Sequence, residues 1–297
     1  MQKESGDNMQ KGILSLSVGI LLSFSSMVQA QDKQKICVFD LLGKAGESYK
    51  FMEEWALSSK TWGANVSLLS YQDEAKVEKD FNAGVCDAFY MTSMRARSYN
   101  KFAGSIDALG GVTSNDIARK AIAYVLDKRN NRRLITTMNN EKYEVAGIGQ
   151  IGLAYIFVRD KSINSIEKAK VKKIAVLEYD DAQKIMAQRI GAIPVMSDIS
   201  NFVKKFNSGE VDVVAAPAYA FKPLEIYKGL GSKGGMINFP IVNVTADLII
   251  RSDQFPQGFA VQSRRWFVEK IPKSFNMVQR LEADIPNKYK INLSKKD

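Results

Sequence analysis

Short apolar runs alternate along the chain with stretches whose apolar residues recur every three or four positions. Lys35-Ile36-Cys37-Val38-Phe39-Asp40 reads as a buried strand, followed by a glycine-containing turn at 41–46. From Glu47 to Lys60 the apolar residues Tyr49, Phe51, Met52, Trp55, Ala56 and Leu57 have helical spacing. A strand over Asn65–Ser70, a helix over Asp73–Asn82 and a strand over Cys86–Met91 follow. The pattern then predicts helices through Ser93–Phe102 and Ser114–Asp127. A second unit repeats the plan, with strand Lys173–Leu177, helix Asp181–Ile190, a turn at Gly191–Val195 into the next strand, helix Ile199–Asn207 and strand Val211–Ala216. Strands alternating with helices predict parallel pairing in an α/β sheet. Beyond the glycine-rich stretch 229–235, strands are expected over Asn238–Val244 and Ala246–Arg251, helices over Gln257–Ile271 and Ser274–Asp284, and a loose polar tail from Lys288.

The two units share a segment. Phe81-Asn82-Ala83-Gly84-Val85-Cys86-Asp87-Ala88 and Phe206-Asn207-Ser208-Gly209-Glu210-Val211-Asp212-Val213 both read Phe-Asn-small-Gly-x-x-Asp-apolar. A helix stops cheaply at Gly, which adopts the left-handed conformation. The Asp that follows can satisfy turn amides. Any helix-to-strand junction tends toward such a sequence. Its recurrence at the same place in each half argues for two similar α/β lobes.

The N-terminus changes the picture. Lys11 precedes an apolar run from Ile13 to Phe24, and Val28-Gln29-Ala30 places small residues at the −3 and −1 positions. These are the three parts of a secretory signal peptide with cleavage after Ala30. The run is short of the about 20 apolar residues that a membrane span needs. Glu4 and Asp7 are unusual in such a leader and point to Met9 as the start of translation.

The chain carries 42 Lys and Arg against 32 Asp and Glu, a formal charge of +10, which favours anionic partners. The densest basic cluster, Lys128-Arg129-Asn130-Asn131-Arg132-Arg133, has no aromatic residue interleaved for base stacking, so nucleic acid is not the expected partner. There is no histidine, which removes Ser-His-Asp and Cys-His nucleophiles and His-based metal sites. Cys37 and Cys86 are the only cysteines. In an oxidising compartment they form a disulfide; the alternative is two buried free thiols.

With these features the chain resembles the extracytoplasmic solute receptors of TRAP transporters, and among them the AdeT-type solute receptor proteins. The likeness covers nearly all of the mature chain. Its most specific part is Lys161-Ser162-Ile163-Asn164-Ser165-Ile166-Glu167-Lys168-Ala169-Lys170-Val171-Lys172-Lys173-Ile174, similar to the family's entry into its second lobe. The runs Gly191–Val195 and Phe206–Asp212 continue in the family's order.

The resemblance implies a two-lobed α/β periplasmic binding protein of type II-like form, each lobe a mostly parallel sheet flanked by helices. Residues 1–30 would be the signal peptide, 31–150 the first lobe completed by 246–297, and 151–245 the second. It further implies a non-enzymatic receptor, without cofactor or metal, that captures a small polar, anionic or zwitterionic solute between its lobes and presents it to membrane transporter subunits. AdeT-type proteins are also described as efflux-associated, so an efflux-linked or structural periplasmic protein without retained solute binding is the alternative. Two arginines that clamp a carboxylate in many family members correspond here to Ala154 and Ala175. Alanine cannot replace a bidentate guanidinium.

Ligands of open α/β sheets bind beyond the carboxyl ends of the strands. That placement selects Asp40 and Ser48, then Ser93 and Arg95, in the first unit. In the second it selects Glu178, Tyr179 and Asp181, and then Tyr219. Arg95 is either an anion contact, with Ser93 and Ser48 as polar partners, or a surface arginine paired with a neighbouring acid. Glu178, Asp180 and Asp181 either pair with a cationic ligand group or form a solvated loop in which Asp181 caps the next helix. Tyr179 and Tyr219 either stack on a ligand or line the hinge.

Overall fold

The computed structural model describes residues 33–293; the expected signal peptide and the last four residues lie outside the described residues. The first apolar run forms β1 (Gln34–Phe39), and the helical pattern after it forms α1 (Glu47–Ser59). They are followed by β2 (Val66–Tyr71), α2 (Glu74–Asn82) and β3 (Ala88–Thr92). The long helix expected from Ser93 is broken into α3 (Ser93–Ala96) and α4 (Lys101–Gly104), because the Asn100 side chain caps a new start by accepting from the Ala103 amide at 2.9 Å. α5 (Asn115–Val125) begins at a Ser114 cap. Then come β4 (Ile135–Met138) and the 18-residue β5 (Glu141–Val158).

The second unit holds α6 (Ile166–Ala169), β6 (Lys173–Leu177), α7 (Asp181–Arg189), β7 (Ile193–Ser197), α8 (Phe202–Ser208) and β8 (Val213–Pro217). α9 (Ala218–Phe221) and α10 (Ile226–Leu230) lead to the 17-residue β9 (Gly235–Arg251), one strand where the sequence suggests two. α11 (Phe259–Glu269) and α12 (Ile271–Ala283) pack against β5. The tail is not loose throughout: β10 (Lys290–Ile291) pairs with β9. Among the described residues no helix is long and apolar enough to cross a membrane.

The ten strands of the described residues share one sheet of order β2-β1-β3-β9-β5-β8-β6-β7, with β4 and β10 attached to β5 and β9. The outer triplets β2-β1-β3 and β7-β6-β8 are parallel and wound in the same order. Between them β5 and β9 run antiparallel to each other and to the adjoining strands of both triplets. Each long strand therefore begins beside one triplet and ends beside the other. Their pairing shifts register at several points, one of them between Gln150 and Gly152, where Gly152 has φ +144°. An L side chain rarely adopts that conformation, so glycine stands where the strands pass from one half to the other.

The repeated segment has the same role in both halves. Gly84 (φ +73°) and Gly209 (φ +84°) end α2 and α8 in the left-handed conformation. The Asp87 carboxylate accepts from the Lys35 amide at 2.7 Å, and that of Asp212 from the Lys173 amide at 2.9 Å, each tying the junction to the start of the central strand of its triplet. An arginine closes each junction. Arg251, ending β9, donates to the Phe81 carbonyl at 2.9 Å, and Arg159, just past β5, donates to the Phe206 carbonyl at 2.6 Å. Each guanidinium also lies near the ring of the same phenylalanine, at 4.0 and 6.0 Å. Last-turn carbonyls left open by every helix are thus satisfied by a charged donor at equivalent positions.

One apolar core, with Trp55, Phe81, Phe89 and Phe267 fully buried, fills the first half. A second, around Phe157, Phe206 and Phe221, fills the other. In the first half Cys37 and Cys86 form a disulfide with Cα atoms 5.9 Å apart, resolving the alternatives left by the sequence.

Candidate inter-lobe cleft

The carboxyl ends of β1, β3, β6 and β8 face one another across a cavity of ≈ 80 Å³. Phe39, Thr92 and Met94 line it from the first half, and Ala175, Phe202 and Pro217 from the second. Ala154 of β5 with Val242 and Val244 of β9 form the floor where the long strands cross. The parallel strands point this way because each ends at a turn into a helix, which brings the strand tips and the first turns of the following helices to the cleft.

Polar contacts link the two halves around this cavity. The Tyr219 hydroxyl donates to Asp40 Oδ1 at 2.6 Å. Asp40 is buried and also accepts from the Leu42 and Tyr49 amides at 2.8 and 3.1 Å, so it anchors the turn into α1. Burial and the Asp40 charge push the Tyr219 phenol far above its ordinary range. A second contact between the halves is made where the Tyr179 hydroxyl approaches Glu74 Oε2 at 3.4 Å, while the Arg95 guanidinium lies 4.0 Å over the Tyr179 ring. Arg97 Nη2 reaches Asp180 Oδ2 at 3.3 Å. Asp180 in turn caps α7 by accepting from the Ala182 amide at 3.1 Å.

Buried acids surround these contacts. Glu74 accepts from the Thr92 amide at 2.7 Å and lies 4.0 Å from Arg95 Nε, yet burial outweighs both and raises its carboxyl to about 7. Asp107 takes the Thr245 amide and hydroxyl at 2.9 and 3.0 Å and the Asn243 amide group at 3.2 Å. Burial still raises it to about 6. Asp247, fully buried with neither oxygen hydrogen-bonded, is pushed well above the carboxylate range by desolvation and then by the nearby Asp107, with Arg97 partly offsetting.

Of the eight residues selected from the sequence, Tyr219 alone lines the cavity. Asp40 and Ser48 cluster around its hydroxyl. Arg95 and Tyr179 meet outside the cavity lining, where Arg95 is held by Glu78 at 2.8 Å. Ser93 is fully buried at the start of α3, on the side of Asp107. Glu178 and Asp181 are exposed and away from the cavity, and the cap of α7 is Asp180 in place of Asp181. Sequence reasoning missed Glu74, Arg97 and Gln183, and chose Ser93 over Thr92 from the hydroxyls at the same strand end. Thr92 immediately precedes Ser93 at the strand end, a signal that could have found it.

A sheet with two parallel wings, joined by two long antiparallel strands around a cavity at the strand tips, defines the class of two-lobed solute-binding proteins. Solved structures agree. A TRAP periplasmic solute-binding protein from Haemophilus influenzae with bound L-gulonate superposes with TM-score 0.70 at 12% identity, over 88% of each chain. One from Desulfovibrio salexigens with bound orotic acid gives 0.69 at 11%, over 89% of this chain and 87% of the other. At such identities the likeness concerns the fold.

The sequence narrows the class. Residues 55–297 match the family model described as solute-binding protein AdeT 1/2. The chain is 41% identical over 260 residues, 88% of its length and 84% of the relative's, to the protein named probable solute-binding protein AdeT1 of Acinetobacter baumannii. It therefore belongs to the AdeT 1/2 solute-binding protein family.

Proposed function

We propose that this chain is exported, cleaved after Ala30, and acts in the periplasm as the solute receptor of a TRAP-type transport system. Residues 31–150 with 246–297 form one lobe and 151–245 the other, joined by β5 and β9. The lobes close on one small molecule and present it to membrane transporter subunits. The observation that carries this reading is the cavity at the facing strand tips, bordered by contacts that span both halves. Closure follows from contacts that the open form lacks. Tyr219 touches the solute, while Asp40, Ser48, Ser93, Arg95 and Tyr179 hold the walls in place. Family membership and the ligand-bound relatives support the same reading, as does the disulfide, which suits an oxidising compartment.

Thermal unfolding of the exported chain against a broad library of organic acids, amino acids, polyamines and neutral metabolites tests it. A ligand at a hundred times its Kd stabilises by about 2.7 kcal/mol, a rise in Tm of roughly 5 °C or more for a chain of this size. No shift across the library, with no bound molecule in native mass spectra, would favour a structural or efflux-linked protein without solute binding.

A further inference from the structure

The wall of the cleft says what kind of solute it takes. Of the side chains that line the cavity, three carry polar atoms: Thr92, Gln183 and Tyr219. Two of these are already committed. Tyr219 donates to Asp40 at 2.6 Å. The Gln183 amide group donates to Asp180 at 3.0 Å, and its oxygen accepts from the Leu177 amide at 3.1 Å. The Thr92 hydroxyl is buried and has no partner among the described residues. It is the one lining group left to meet a polar atom of a solute.

Among the described residues no lysine or arginine lines the cavity, and Ala154 and Ala175 present methyl groups to it. The arginines beside the cleft already face acids, Arg95 paired with Glu78 and Glu74 and Arg97 with Asp180; the Nε of each is buried without a hydrogen-bond partner, and neither side chain lines the cavity. The polar neighbours just outside the wall include the buried carboxyls Asp40, Glu74 and Asp180. A solute carboxylate entering here would give up its hydration without gaining a cation and would face acids of its own sign. An ammonium would be drawn by those acids, but they lie behind the wall and already have partners, so it too would lose its hydration with a hydroxyl as its free acceptor in the wall. An uncharged apolar body loses nothing of this kind and gains by leaving water.

We infer that the cleft binds a small, uncharged, mainly apolar molecule carrying a single hydrogen-bonding group directed at Thr92, and that it rejects carboxylates. This rests on the receptor reading above and makes its solute neutral where the family resemblance implies a polar, anionic or zwitterionic one.

The test is a nuclear magnetic resonance titration of the exported chain with three probes of one shape: cyclopentanol, cyclopentanecarboxylate and cyclopentylammonium. Cyclopentanol is expected to shift cleft resonances and to bind at least tenfold more tightly than either ion. Thr92→Val should weaken cyclopentanol roughly tenfold, as expected for loss of one hydrogen bond. Ala175→Arg, which puts a guanidinium into the cavity, should abolish cyclopentanol binding and favour the carboxylate. Tighter binding of either ion by the unaltered chain overturns the inference and leaves the receptor reading standing. If all three probes are silent, the hits of the wider library decide: neutral apolar hits support the inference and charged hits overturn it. A library with no hits removes both readings together.

Discussion

Replacing Glu74 by glutamine isolates a single buried acid at the junction of the two halves. The Glu74 carboxyl sits at the first turn of α2, 3% exposed, and accepts from the Thr92 amide. Burial raises it from 4.5 to about 7. At about 1.4 kcal/mol per pH unit, that rise corresponds to on the order of 3 kcal/mol. Below pH 4.5 the carboxyl is protonated in both folded and unfolded chains, and the native state bears no charge-burial penalty. As pH climbs from 4.5 through 7 the unfolded chain gives up the proton first, so stability falls; above 7 the loss is complete. Glutamine keeps an acceptor for the Thr92 amide and does not titrate. Urea unfolding at pH 5 and pH 8 should therefore show the unaltered chain losing about 2–3 kcal/mol more than Glu74→Gln across that interval. Other buried acids, Asp107 and Asp247 among them, contribute to both proteins and cancel in the comparison. Parallel losses, equal to within about 0.5 kcal/mol, would refute the claim that Glu74 is buried as a raised acid at this junction.

Three further outcomes are expected. Tyr219→Phe removes a buried hydrogen bond to a carboxylate that spans the halves; at about 1.5–3 kcal/mol it should weaken solute affinity by at least tenfold, measured by calorimetry with any hit of the library screen. Replacing both Cys37 and Cys86 by alanine opens a loop of sequence separation 49 and should lower the unfolding free energy by about 4 kcal/mol in urea, an effect that added reductant should reproduce in the unaltered chain. Arg251→Met leaves the Phe81 and Cys86 carbonyls without their charged donor and should destabilise by about 1–3 kcal/mol; Arg159→Met should do the same in the other half.

What the sequence reveals and what it hides differ by the range of the interaction. The Phe-Asn-small-Gly-x-x-Asp segment is legible because its chemistry is local: a left-handed glycine followed by an aspartate that binds the neighbouring strand. The first strands are legible for the same reason, whereas the disulfide spans 49 residues and is expected because the sequence holds two cysteines to pair in an oxidising compartment. β5 escapes notice because it is buried on both faces over most of its length, so it lacks a two-residue period, and Gly147, Gly149 and Gly152 interrupt it like turn residues. β9 looks like two strands because Asn243, Thr245 and Asp247 introduce polarity that only the Asp107 network and burial account for.

The cleft follows the same rule. Ala154 and Ala175 were flagged through the family resemblance, and both line the cavity. Arg95 stood out as a cation, but its partners Glu74 and Glu78 lie on the preceding helix, 21 and 17 residues away, where spacing gives no hint of contact. Glu178 and Asp181 stood out as acids beside a strand end, and the turn of the chain carries them to the surface.

The most direct measurement of the proposed function is the native mass spectrum of the exported protein released gently from periplasm, beside that of Ala154→Trp, which fills the cavity. The expected result is one small molecule bound per chain in the unaltered protein and none in Ala154→Trp. A bare chain in the unaltered protein, or an adduct that persists in Ala154→Trp, would contradict a solute-binding role for this cleft.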